Sequence, residues 1–316
     1  MGRATYSSNS RIGRLAVRTT LAIASASLCL AVVADAATPL PDGLDLQAMA
    51  LAPADFDGGA RVESEGFQSA SPPVVAVYAR SFRSGARLAG KRLFFVESDV
   101  YVFGDARTAD GAFEDIRSTL STSSGRRAFA RDIVRGTKVK GLSIVVGRPV
   151  ALRLGQSAFR LTIVGRKRIG RYRFEMELAL GVLRLDRAIG LVVLAAYPGT
   201  HLTSAPPVLA TAKLAQRLQF GFTIRNLAPP NIVGPPQQSQ TLTADPGRWA
   251  GAPSEFAYQW NRCDSAGANC AAIPGAVGQT YVLGAQDSGT RLALTVKASN
   301  SVSSGSLTSS ATALVP

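Results

Sequence analysis

The stretch Arg171-Tyr172-Arg173-Phe174-Glu175-Met176-Glu177-Leu178 alternates charged and apolar side chains without a break. A period of two belongs to a β-strand, whose successive side chains point to opposite faces of the sheet. Tyr172, Phe174, Met176 and Leu178 are therefore expected to face a core, and Arg171, Arg173, Glu175 and Glu177 to face away. That makes one face of the sheet wet, or covered by something polar.

Runs rich in β-branched and aromatic residues surround this strand: Leu142 to Leu154, Ala158 to Val164 and Ile189 to Ala196, with Pro73 to Phe82 and Leu93 to Phe103 earlier in the chain. Turn formers bound each of them. Between the two groups the period changes. Ala109, Ala112, Phe113, Ile116 and Leu120 recur at helical spacing behind Asp105, a capping residue, which predicts a helix over 106–120. A shorter helix is expected from Arg127 to Val134, stopping at Gly136. Ser204 followed by Pro206 and Pro207 starts a last helix, with Val208, Leu209, Ala212, Ala215 and Leu218 as its apolar stripe. Strands grouped in sequence, rather than alternating singly with helices, predict an α+β fold with a mostly antiparallel sheet. A βββα order recurs around residues 62–120 and 143–219, a duplication of topology without a sequence repeat.

The composition shifts near residue 229, where Asn226-Leu-Ala-Pro-Pro-Asn231 and Gly234-Pro235-Pro236 read as a stiff linker over 226–236. This places the α+β domain at 45–225 and a second domain at 237–316. The second contains short strand candidates at Gln240 to Ala244, Phe256 to Arg262, Gln279 to Leu283, Arg291 to Ala298 and Ser306 to Leu314, a spacing that suggests a β-sandwich.

Tyr258-Gln-Trp-Asn-Arg-Cys263, Cys270, Ile273-Pro-Gly-Ala-Val-Gly-Gln-Thr-Tyr281, Asp287-Ser-Gly289 and Val296-Lys-Ala-Ser-Asn300 resemble, in order and spacing, an immunoglobulin-like repeat of secreted and cell-surface bacterial proteins. The resemblance implies a buried core tryptophan at Trp260 and a turn at Asp287 to Gly289 leading into a late core strand. That strand carries no cysteine, so the inter-sheet disulfide of antibody-type domains is absent. Cys263 and Cys270 instead bracket a turn-rich loop, and in an exported chain this spacing is expected to give a disulfide rather than a metal site, which needs further ligands. In element order and in its Leu51-Ala-Pro-Ala-Asp-Phe56 opening, the first half resembles the Mog1/PsbP-like and LpqN-like domains of secreted proteins. Those domains share no chemistry that carries over.

Export is itself legible. Arg3, Arg11, Arg14 and Arg18 precede an uncharged stretch from Thr19 to Ala34 and an Ala34-Asp35-Ala36 cleavage signature, so residues 1–36 read as a signal peptide. The stretch is short for a membrane span. Cys29 follows Leu28, a large residue where lipoprotein processing needs a small one. The mature chain then has 31 basic and 20 acidic residues, a net charge of +11. Residues 229–316 are neutral overall, so the whole surplus lies in the first domain.

The surplus is concentrated further. Arg126, Arg127, Arg131, Arg135, Lys138, Lys140, Arg148, Arg153, Arg160, Arg166, Lys167, Arg168, Arg171 and Arg173 stand against Asp132 alone. Outside the cytoplasm such a field attracts anionic wall polymer, polysaccharide or lipid head groups. Phe129, Phe159 and Tyr172 are its only aromatics, too few to stack on single-stranded bases, so no nucleic acid is expected. Catalytic signatures are missing: there is no nucleophile elbow to serve His201, the single histidine, and no glycine-rich phosphate loop. Asp55 and Asp57 lack calcium-loop spacing. Neither a cofactor nor a metal is expected. Glu175 and Glu177 share a strand face, the arrangement of a general acid/base pair, but Arg171 and Arg173 beside them point to cross-strand ion pairing. The reading is a secreted or surface-associated, non-catalytic accessory protein. It joins a basic α+β domain for an anionic or amphipathic ligand to an immunoglobulin-like spacer or adhesion module. The alternatives are an extracellular carboxylate-based hydrolase and a purely structural surface protein.

Overall fold

The computed structural model describes residues 43–83, 85–137, 139–197, 199–202 and 204–316. The expected leader, with Cys29, and Lys138 lie outside the described residues. Two compact units divide the chain between Gln219 and Phe220.

The first unit contains α1 (Leu46–Met49), β1 (Val62–Gln68), β2 (Val74–Phe82), β3 (Arg87–Leu88), β4 (Lys91–Phe103), α2 (Ala106–Ser121), α3 (Ser123–Thr137), β5 (Leu142–Val146), β6 (Val150–Leu152), β7 (Ser157–Ile169), β8 (Tyr172–Leu185), β9 (Ala188–Ala196) and α4 (Ala205–Gly221). The strands form one sheet in the order β1-β2-β4-β9-β8-β7-β5, with β3 pairing β4 and β6 pairing β7. Every pairing is antiparallel. Each half of this unit meanders from an edge to the centre and then turns into a helix, with four strands in the first half and five in the second where three were expected in each. A two-fold axis relating β4 to β9 would leave both helices on one face, whereas α2 and α4 lie on opposite faces, so the duplication stops at the strands.

The covering of the sheet corrects the sequence reading. Phe113 of α2 and Ile133 of α3 join Phe159, Leu161, Leu178, Leu180, Leu191 and Val193 in a core on one face. On the other face, Gly181 of β8 and Gly190 of β9 receive α4: a Cβ at 181 would sit 2.1 Å from Thr211 Oγ1, and one at 190 would sit 3.0 Å from Leu214 Cδ2. Every residue of β9 is buried in consequence. The alternation in β8 marks only its outer end, where the wet face begins. Tyr172 shows the same boundary from the other side. Expected in the core, it is 62% exposed because the β7–β8 hairpin runs on past the last helix-covered residue.

Asp105 caps α2 as expected, its carboxylate accepting the Thr108 N–H at 2.7 Å; those Thr108 bonds hold its pKa below the ordinary value. Helix α3 is longer than expected and reaches Thr137. The stripe of α4 is rotated from the expected one. Ala210, Thr211, Leu214 and Leu218 are fully buried, and Thr211 satisfies its hydroxyl on the Pro207 carbonyl at 2.7 Å, which lets a polar residue pack against glycine. The single strand expected over 142–154 is two, broken at Gly147 to Pro149, because a proline has no N–H for the ladder.

The second unit holds β10 (Arg225–Ala228), β11 (Asn231–Val233), β12 (Thr241–Asp245), β13 (Arg248–Ala250), β14 (Glu255–Cys263), β15 (Ala271–Ala272), β16 (Thr280–Val282), β17 (Arg291–Ser299) and β18 (Ser304–Thr308). Strands β10 and β11 occupy much of the stretch expected as a linker. Pro229 and Pro230 separate two strands with different partners, β13 and β12, rather than two domains. The sheets β11-β12-β16 and β15-β14-β17-β18 contribute Leu242 and Ala244, and Trp260, Leu292, Leu294 and Val296, to one core. Trp260 is fully buried, and its Nε1 donates to the Gly278 carbonyl at 2.9 Å. Asp287, also fully buried, accepts from Arg262, from the Tyr281 hydroxyl and from the Gly284 N–H. Cys263 and Cys270 form a disulfide.

Candidate functional site

The basic residues singled out above do not form one patch. On α3, Arg127 and Arg131 stand four residues apart and therefore one above the other. They rim a groove of about 360 Å³ whose other lining residues are Ala130, Val134 and Ile144. Ile144 reaches this side because β5 pairs with β7 in a register that sets it opposite Gly165. Among the described residues neither guanidinium has an ion-pair or hydrogen-bond partner, and both are exposed. The groove is apolar at its floor and cationic at its rim.

The other predicted positions are placed differently. Arg126 closes the end of α2 by donating to the Leu120 and Ser121 carbonyls, and Arg135 pairs with Asp132 at 3.3 Å. Lys140 is exposed just before β5. Lys167 lies on the groove side of the sheet, opposite Leu142. Arg166, Arg168 and Arg173 lie on the reverse face of the β7–β8 hairpin, where Arg166 pairs with Glu175 at 2.7 Å and Arg168 stands directly across from Arg173. Arg171 stacks on the neighbouring Tyr172 ring and donates to its hydroxyl. The one-dimensional cluster is thus split between two faces and two structural jobs. Of the described ones, Arg127 and Arg131 line the apolar groove.

No protein-family model and no curated protein matches the chain. Among solved structures, it is similar to the extracellular domain of PknH from Mycobacterium tuberculosis, at 10% sequence identity and a TM-score of 0.32, over 60% of this chain and 98% of that one.

Glu175 and Glu177 have their acceptors engaged: Glu175 by Arg166, and Glu177 by the Leu202 N–H at 3.2 Å and His201 Nδ1 at 3.1 Å. Asp55 pairs with Arg217, and Asp57 accepts the Gly90 N–H. Among the described residues no group of three or more His, Cys, Asp and Glu side chains is placed to hold a metal, and no helix is long and apolar enough to cross a membrane.

A second carboxylate pair, not singled out in the sequence, behaves otherwise. Glu97 and Asp99 lie on β4, on the face covered by α2. Burial pushes the Glu97 carboxyl up to about 7. Burial, and then the charge of Glu97, raises Asp99 well above the carboxylate range. Their sequence signal is two acids inside a run of apolar and aromatic residues, Leu93 to Phe103, long enough to be a central strand.

Proposed function

We propose that this chain is an exported, non-catalytic binding protein of two domains. Its α+β domain takes an anionic amphipath, an acyl chain with a negatively charged head, into the groove on α3. Its second unit is an immunoglobulin-like spacer or adhesion module. The observation that carries the reading is the pair of unpartnered guanidiniums one helical turn apart over an apolar floor. Arginines in that setting offer planar donors to a carboxylate or phosphate while the tail leaves water along Ala130, Val134 and Ile144. Export is supported by the leader and by a disulfide of the kind found in oxidising compartments.

Binding to vesicles tests it. The protein should sediment with phosphatidylglycerol vesicles and not with phosphatidylcholine ones at low ionic strength, and release as salt shortens the screening length. Arg127→Glu with Arg131→Glu should weaken binding at least about tenfold, whereas Arg168→Glu on the far face should leave it unchanged. Binding that persists in high salt, or that Arg168→Glu weakens equally, refutes the groove. Binding to soluble wall polyanion without any to vesicles would show that the acyl chain plays no part.

A further inference from the structure

Along one face of β4 runs a row of four side chains, Phe95, Glu97, Asp99 and Tyr101, each two residues from the next. The ladder sets Ala195, Val193, Leu191 and Ile189 of β9 beside them on one flank, and Ser81, Ala79 and Val77 of β2 beside the last three on the other. None of these neighbours carries a charge. On α2, Asp110 pairs with Arg184 and Glu114 with Arg117, and Arg107 and Asp115 are exposed.

Asp99 is 3% exposed. Its Oδ1 and the Oε2 of Glu97 are both buried and have no hydrogen-bond partner, and the Tyr101 hydroxyl bonds the Asp99 carboxyl. Among the described residues no basic side chain forms an ion pair with either carboxylate. Two acceptors left open in the interior cost stability unless something fills them.

The way in lies toward β1. Gly66 stands across from Ala79, and a Cβ built on it meets nothing within 4 Å. The rest of β1 is exposed. Gly66, Ala79 and Ser81 thus make a low floor leading from solvent to the half-buried Glu97, at the line where the helix-covered part of the sheet gives way to the bare part.

We propose that Glu97 and Asp99 form a binding site for a small organic cation bearing an ammonium group. The cation passes over Gly66 and Ala79 and lodges at the two carboxylates, with the Phe95 and Tyr101 rings at the ends of the row. An ammonium supplies the donors that the orphan oxygens lack, and aromatic rings favour a desolvated cation. It asks for acceptors and ring faces rather than the three or more ligands of a metal cage. This site is separate from the α3 groove and stands whether or not that groove binds lipid.

Calorimetric titration of the whole protein with n-butylammonium, and with n-butanol as its neutral counterpart, tests the site at about pH 8 and low salt. Butylammonium should bind and butanol should not. Glu97→Gln and Asp99→Asn should each weaken binding at least about tenfold, and Glu175→Gln should not. Binding should also weaken toward about pH 5, where protons compete for both carboxyls; Tyr101 stays neutral throughout that range. Equal heats from amine and alcohol, or full affinity in Asp99→Asn, overturn the proposal. If Asp99→Asn loses its far-UV circular dichroism, Glu97→Gln decides. A Glu97→Gln protein that melts higher while the wild type ignores butylammonium also overturns it, because the pair then takes up protons alone.

Discussion

Glu175 and Glu177 share a strand face two residues apart, and so do Glu97 and Asp99, yet the two pairs occupy opposite electrostatic situations. The first sits on the reverse face of the β7–β8 hairpin, beyond or at the margin of the helices, where Arg166, His201 and the Leu202 N–H engage it. The second sits on a central strand under α2, with apolar β9 on one flank and no cation. Identical spacing says nothing about chemistry until the position of the strand within the sheet is known.

The comparison breaks most visibly in stability against pH. Glu97 is raised from 4.5 to about 7, so the folded protein holds this proton more tightly than the unfolded chain. The favourable contribution is complete below about pH 4.5 and is lost as pH climbs through about 7, a penalty of about 3 kcal/mol above that. Glu97→Gln should remove this slope and raise urea-unfolding stability at about pH 8 by a similar amount, with little gain at about pH 4. A loss at pH 8 would mean that the carboxylate is paired after all.

The paired carboxylates should respond more weakly. Glu177→Ala strips an acceptor from the Leu202 N–H and should cost about 1 kcal/mol, read in the same denaturation experiment. Glu175→Ala removes a half-exposed ion pair with Arg166 and should change stability by less than about 0.5 kcal/mol. If Glu175→Ala costs more than Glu177→Ala, the hairpin end is more rigidly packed than its exposure implies.

Much of the first unit was legible. The alternation from Phe174 to Leu178, the Asp105 cap and the stripe of α2 are local patterns, and local geometry fulfils them. The stripe of α4 was misplaced because it depends on Gly181 and Gly190, far away in sequence, which admit Thr211 and Leu214 more closely than larger side chains would allow. The linker was misread because prolines mark an interrupted ladder as readily as a hinge. The basic cluster was counted correctly but not divided, since a count along the chain carries no information about which face of a sheet a residue occupies.

By itself the sequence determined the period of β8 and of α2, the charge asymmetry between the two halves and the cysteine pair. All of these follow from residues near one another in the chain. Only the tertiary structure decided that both faces of the sheet are covered at its centre, that Arg127 and Arg131 overlook an apolar groove, and that Glu97 and Asp99 are buried with carboxylate oxygens left unpartnered. Each of these depends on strand order and on which helix crosses which face, and desolvation is set by what packs above a residue rather than by its neighbours in sequence.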